Sequence, residues 1–403
     1  MAEHTPHEQP SARHEDDQRP VRNVPIVAVQ LQDKTLTSTG TDKPVLGAMV
    51  DFDVDTISYA ELYLNNMGVR LIDDVAWGES QVMALFLGYA TDISHFRRMG
   101  IYHMSMPQFD FKFRNRIVIR AFGDGIGMTR VQKRRVFENM TYGQIAEQIC
   151  RENELEPVIE PDLAEEVPSM TQAGVTDYQF MKDLAFRTGL DFFVAEGRLH
   201  LSIPSRRANE TPLPVNVDES TTRSVIFEVH AEGEAAVLKS SPVNPRTGEF
   251  EDIATQFSAD GFLDIANDPT QVRFSEMATP RLVFIDGRGN LLSKTSLQTI
   301  VDSEGNWRKQ IVKVRASMDG NEMIRPRSFA VFINAGQRFR GPYYITKVKH
   351  TITGNDFVTS FEGIRATTGA YREVFAFGVN ADEVGGTPLP LRDVSNLSEV
   401  EVA

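Results

Sequence analysis

Apolar and polar residues alternate strictly along the first patterned stretch. Val50, Phe52 and Val54 are interleaved by Asp51, Asp53 and Asp55, and Phe109, Phe111 and Phe113 by Asp110 and Lys112. Successive side chains of an extended chain point to opposite faces, so both runs predict half-buried strands. The second run turns at Arg114-Asn115-Arg116 and returns as Ile117 to Phe122. The apolar run Val82 to Leu87, closed by Gly88, predicts a strand buried on both faces. Together these elements predict a small β-barrel or sandwich over residues 25–128.

The periodicity then changes to that of helices. Thr141-Tyr142-Gly143-Gln144 has the Thr-x-x-Gln form of a capping box, and Tyr142, Ile145, Ala146, Ile149 and Cys150 behind it share one helical face. Thr176-Asp177-Tyr178-Gln179 repeats the box ahead of the stripe Phe180, Met181, Leu184 and Ala185, and Gly189 stops that helix. A Pro- and Glu-rich connector, 156–169, separates the two. Phe192-Phe193-Val194, a turn at Glu196-Gly197 and Leu199-His200-Leu201 predict a hairpin. Residues 129–204 thus read as an α/β insertion.

Residues 205–223, polar with Pro212 and Pro214, read as a linker, after which alternation resumes at Val225 to Val229. Asp286-Gly287-Arg288-Gly289-Asn290 and Asp302-Ser303-Glu304-Gly305-Asn306 share the pattern Asp-x-x-Gly-Asn and predict two consecutive hairpin turns. Further strands are expected at Val312 to Ala316, Tyr343 to Ile352 and Phe357 to Ile364, with a turn at Gly354-Asn355. Beyond Thr367 the chain is turn-rich and acidic, with no core-forming pattern.

Composition narrows the function classes. The 403 residues carry 42 Lys+Arg against 56 Asp+Glu, a formal net charge of -14, which excludes a basic nucleic-acid binder. A single cysteine excludes a disulfide framework and a cysteine-based zinc finger. No apolar run approaches the roughly 18 residues of a membrane helix, so a soluble protein is expected. Met1 to Asn23 lacks the apolar core of a signal peptide and reads as a disordered tail on a protein made in the cytoplasm.

Few residue patterns in the chain point to chemistry. Asp51-x-Asp53-x-Asp55 opens like an EF-hand loop, but Thr56 stands where the turn glycine belongs and Leu62 where the closing glutamate belongs, so a solvated strand face is expected. Gly123-Asp124-Gly125-Ile126-Gly127 lacks the spacing of a dinucleotide or phosphate loop and reads as a loose glycine turn. Lys133-Arg134-Arg135 is expected to meet an acidic surface or solvent rather than a phosphate backbone. The eight histidines, His4, His7, His14, His95, His103, His200, His230 and His350, show no metal-ligand spacing, and His200 and His350 read as satisfied strand residues. Cys150 falls on an apolar helix stripe, where a buried, inert thiol is expected. No catalytic, cofactor-binding or metal-binding residue is assigned.

The order of parts does carry information. Phe137 to Ala146, running on to Glu152-Asn153-Glu154-Leu155, resembles the first helix of the phage late-control D and contractile-tail baseplate hub family. Thr176 to Ala185, with Thr188 to Val194 and Gly197-Arg198-Leu199, resembles that family's second helix and hairpin. Leu85 to Ile93 resembles a segment of its first barrel, and Gly341 to Ile352 its closing strand pair. The resemblance spans residues 45–365. It implies a mainly β fold with an α/β insertion and two barrel-like tail-tube domains plus smaller insertion domains. The expected division is a disordered tail (1–24), a first tube domain (25–128), the α/β insertion (129–204), a second tube domain (205–250 and 308–370), a β-hairpin-rich insertion (251–307) and a C-terminal extension (371–403).

The resemblance further implies a non-enzymatic homotrimer, needing no cofactor, that adapts a sixfold tail tube to a threefold central spike and lines the DNA channel. Its expected partners are its own copies, the tail tube protein, the spike, the tape-measure protein and baseplate wedge components. Genomic DNA would pass without specific binding, no membrane would be touched, and the protein would reside in the virion tail baseplate after synthesis in the host cytoplasm. The chain departs from fused hub-spike proteins in having no β-helix repeat after the second β region, and no lysozyme-like or peptidase segment is visible. Two other readings are a hub with peptidoglycan-hydrolase activity and a carbohydrate-binding β-protein.

Overall fold

The computed structural model describes residues 24–31, 34–39, 44–66, 81–89, 92–105, 107–110, 116–159, 163, 166–202, 212–229, 236–240, 253–257, 281–284, 312–339 and 341–365. The N-terminal strands are β1 (Pro25–Leu31), β2 (Lys34–Thr37), β3 (Val45–Asp53), β4 (Tyr59–Asn65), β5 (Val82–Tyr89), β6 (Asp92–Met104), β7 (Gln108–Asp110) and β8 (Arg116–Gly123). A 3-10 turn, Asp124–Thr129, leads into β9 (Gln132–Thr141), α1 (Tyr142–Glu152), β10 (Glu156–Ile159), β11 (Glu166–Thr176), α2 (Asp177–Thr188), β12 (Asp191–Ala195) and β13 (Arg198–Ser202). The remainder holds β14 (Leu213–Asn216), β15 (Thr222–Val229), β16 (Ala236–Ser240), β17 (Ile253–Phe257), β18 (Arg281–Phe284), β19 (Val312–Asp319), β20 (Phe329–Ile333), α3 (Gly336–Phe339), β21 (Gly341–Thr353) and β22 (Asp356–Arg365). The fold is mainly β, as expected.

One sheet runs through both β regions in the order β15-β19-β22-β21-β3-β4-β8-β6-β5-β1-β2. The join is β21 against β3, antiparallel, from Lys347 opposite Asp53 to Thr353 opposite Gly47. Gly47 permits this approach: a Cβ there would lie 2.2 Å from the Ile352 carbonyl oxygen. Ile352 and Phe357, from the C-terminal half, pack into the core formed by Val27, Val50, Leu62, Leu85 and Ile119. A second core gathers Val314, Phe332, Tyr343, Val348 and Phe361, and a third fills the insertion around Phe137, Ile145, Ile149, Met181 and Leu184.

The helices follow their sequence signals. The Thr141 hydroxyl accepts from the Gln144 amide at 3.1 Å while the Gln144 side chain accepts from the Thr141 amide at 3.0 Å, which completes the capping box of α1. Tyr142, Ile145, Ala146, Ile149 and Cys150 are all buried. At α2 only half of the box forms, with the Gln179 amide bonded to the Thr176 hydroxyl at 3.3 Å, and Gly189 ends the helix at φ 70°. The predicted β12–β13 hairpin turns at Glu196 and Gly197, both at positive φ.

Several expectations need correction. β5 is not buried on both faces: Met83, Leu85 and Leu87 point inward, whereas Val82 is exposed and Ala84 and Phe86 are half-buried, the pattern of a sheet with one face on the core. Phe109 is exposed rather than buried, and Phe111 and Phe113 lie outside the described residues. The 156–169 connector contains β10, paired parallel with β13, and the start of β11, paired antiparallel with β9. The supposed linker, 205–223, contains β14, paired parallel with β20. β16 pairs with β17 and β18, which groups it with the segment expected as the hairpin-rich insertion. The glycine-rich 123–127 stretch enters a 3-10 turn in which Gly125 is buried. The tail over 1–23, the turns at 286–290 and 302–306 and the 371–403 extension lie outside the described residues.

Candidate functional site at the junction of the three units

The structure disperses the sequence candidates into structural roles. Asp51 and Asp53 lie 3.7 and 3.5 Å from the Lys347 ammonium across the β3–β21 join, and Asp55 lies 2.8 Å from Lys182 of α2. No group of three potential metal ligands occurs among the described residues. His350 is fully buried, with Nδ1 3.0 Å from the Thr359 hydroxyl and Nε2 3.1 Å from the Ile324 carbonyl. Burial, reinforced by the Arg325 charge, pushes its pKa down to about 3. His200 stacks on Phe193 with ring centroids 4.4 Å apart. His103 Nε2 lies 3.1 Å from Asp124, whose other oxygen accepts from the Gly197 amide at 2.9 Å. His95 and His230 carry no described side chain, and His4, His7 and His14 lie outside the described residues. Burial pushes the Cys150 thiol up to about 11, as suits an inert core residue.

Two of the three basic residues, Lys133 and Arg135, meet acid, within their own unit, and Arg134 is exposed. β9 carries Lys133 and Arg135 on one face, since alternate residues of a strand share a face. Lys133 donates to Asp177 at 2.6 Å and Glu152 at 2.9 Å, and Arg135 to Asp177 at 3.0 Å, Glu152 at 2.6 Å and Gln172 at 2.7 Å. Asn153 and Gln172 complete the shell of the buried Asp177 carboxylate at 2.9 and 3.0 Å. Burial would raise the pKa of Asp177, but hydrogen bonds from Lys133, Asn153 and Gln172 outweigh it and hold the group below its usual range. Burial likewise opposes ionisation of Glu152, and bonds from Arg135, Lys133 and Gln148 overcome it, drawing the pKa down to about 2. The network ties β9 to both helices.

A further feature among the described residues is a cleft of about 300 Å³ where the three units meet, with Phe52, Thr56 and Ser58 on one side, Phe193 to Glu196 on a second and Arg325 to Arg327 on a third. Arg325 donates to Met99 Sδ at 2.8 Å and to the Arg98 carbonyl at 3.1 Å, and lies over the Phe52 ring. Arg327 donates to the carbonyls of Val54, at 2.9 Å, and Phe192, at 3.0 Å, and lies over the Phe193 ring at 4.6 Å. One side chain thus touches the N-terminal β region and the insertion while its backbone belongs to the C-terminal region. Tyr344 adds a short hydrogen bond to the buried Asp191 nearby. Sequence reasoning missed both arginines. Arg325-Pro326-Arg327 sits in a polar stretch that resembles any solvated turn, and nothing in it signals burial.

No curated protein matches the chain. Among solved structures, the 43 kDa tail protein of prophage MuSo2 from Shewanella oneidensis is 11% identical, with a TM-score of 0.58 over 85% of this chain and 98% of that one. The tail protein from Neisseria meningitidis MC58 is 10% identical, with a TM-score of 0.59 over 85% and 97%. An E. coli component of the type VI secretion system is 12% identical, with a TM-score of 0.51 over 86% and 80%. Likeness at this identity establishes the fold, which is that of phage tail proteins, and agrees at that level with the resemblance read from the sequence. The family model described as the Alg8 N-terminal domain matches residues 83–354, well over half of the sequence, and the chain belongs to that family.

Proposed function

We propose that the protein is a non-enzymatic structural subunit of a phage-type tail, specifically the hub that adapts a sixfold tube to a threefold spike. The observation that carries this reading is the pairing of β21 with β3, which sets two β regions side by side in one sheet within each chain. Three copies around an axis then present six such regions, the match a sixfold neighbour requires. The tail-protein fold shared over 85% of the chain supports the same role. Three of the strongly shifted groups, His350, Cys150 and Glu152, have a structural explanation, and we assign no turnover to the chain.

In this role the partners are two further copies, the tube protein, the spike, the tape-measure protein and wedge components, all in the virion baseplate. A net charge of -14 would repel passing DNA and keep the channel from retaining it. Cryo-electron microscopy of the assembled tail tip tests the proposal. Three copies around the axis between tube and spike are expected, and a different copy number or absence from the particle would overturn it. An electropositive inner surface would remove the DNA-channel part alone.

A further inference from the structure

We propose that the junction cleft binds a carboxylate, seated between the guanidinium groups of Arg325 and Arg327. Every acid lining the cleft already has a partner: Asp53 lies 3.5 Å from Lys347, Asp124 lies 3.1 Å from His103, and Glu196 lies 3.8 Å from Arg98. Arg325 and Arg327 form no ion pair among the described residues: the buried Glu322 acts on Arg325 only through its field, and the direct contacts of the two guanidinium groups are a thioether, ring faces and backbone carbonyls.

A desolvated guanidinium without a counter-charge is costly, and an anion between two of them removes that cost. Arg327 is only 7% exposed, yet its Nε is buried with no hydrogen-bond partner. The backbone points the same way. Arg327 is held at φ 66°, a left-handed conformation that a non-glycine residue rarely adopts, and such outliers persist where surrounding structure enforces them, often at ligand sites. Planar guanidinium groups select carboxylate by paired N–H donors, and a cleft of this volume admits one short acidic chain rather than a macromolecule. The carboxylate could be free or carried on the Asp or Glu of an inserted polypeptide.

The test uses the full chain in isolation, so its outcome is independent of the trimeric hub. Glutarate and a capped Gly-Glu-Gly peptide are titrated by calorimetry and thermal shift, with potassium chloride and neutral glutaramide as controls. Saturable binding of glutarate identifies a free carboxylate site; binding of the peptide alone identifies an acidic side chain. In either case Arg325→Met and Arg327→Met weaken binding by about tenfold or more. Because Arg327→Met also severs contacts between units, Thr56→Trp, at the exposed rim, serves as a second variant that blocks the cleft while leaving both arginines in place. No saturable binding of either probe at millimolar concentration, equal stabilisation by chloride, or binding that survives Thr56→Trp and Arg325→Met would overturn the proposal.

Discussion

His350 on β21 lies directly opposite Thr359 on β22, its Nδ1 3.0 Å from the threonine hydroxyl and both residues fully buried. Folding holds this imidazole neutral, with its pKa lowered from 6.5 to about 3. Between those values the unfolded chain binds the extra proton, so stability falls as pH falls through the window, by up to about 1.4 kcal/mol per pH unit. Glu152, held at about 2 against an ordinary 4.5, loses its contribution only as pH drops below 4.5, so the upper part of the window reports on His350. Urea unfolding between neutral pH and about pH 5 should show a falling midpoint in the native protein and a flatter response in His350→Gln.

Gly47 governs the seam between the two β regions. A Cβ at this position would lie 2.2 Å from the Ile352 carbonyl oxygen, a backbone atom that cannot move without breaking the β3–β21 ladder. Gly47→Ala is expected to cost about 2 kcal/mol or more and to speed amide exchange along 347–353. Unchanged exchange there would show that the seam tolerates a side chain.

Asp177 is the buried centre of the insertion's ion network, with a side chain only 2% exposed. Asp177→Ala leaves Lys133 and Arg135 facing an empty, desolvated site. Because those two side chains keep 30% and 19% exposure, water screens part of the loss, and a cost of about 2–3 kcal/mol is expected rather than the upper end for a fully buried pair. Glu152→Gln, at a more exposed carboxylate, should cost less. Chemical denaturation of the two variants ranks them, and the reverse order would show that Glu152 is the anchor.

Leu184 has no solvent exposure and packs with Ile145, Ile149 and Met181. Leu184→Asp places a carboxylate in that core at a cost of about 3–5 kcal/mol, enough to unfold the insertion and abolish assembly. Circular dichroism and sedimentation check this together: a variant with native helix signal and native oligomers would refute the packing.

What the sequence made legible were the features written in neighbouring residues. Capping at Thr141, the left-handed stop at Gly189 and the turn at Glu196-Gly197 depend on atoms a few positions apart, so residue type alone specifies them. The β9–β11 ribbon was missed because its register pairs Lys133 with Val175, far along the chain, and neither strand alternates cleanly. β14 reads as linker in the sequence for the same reason: its partner β20 lies more than a hundred residues away.

By itself, then, the sequence determined a mainly β chain with two capped helices, an acidic surface and an unreactive thiol, because composition and local periodicity suffice for each. Only the tertiary structure decided that β21 joins β3, that Lys133 and Arg135 are spent on Asp177, and that Arg325 and Arg327 meet in a cleft without carboxylate partners. Those relationships are selected by register, shared cores and the cost of leaving charge unpaired: β21 and β3, and Lys133 and Asp177, lie far apart along the chain, and Arg325 and Arg327, neighbours in sequence, are buried by residues of the other two units.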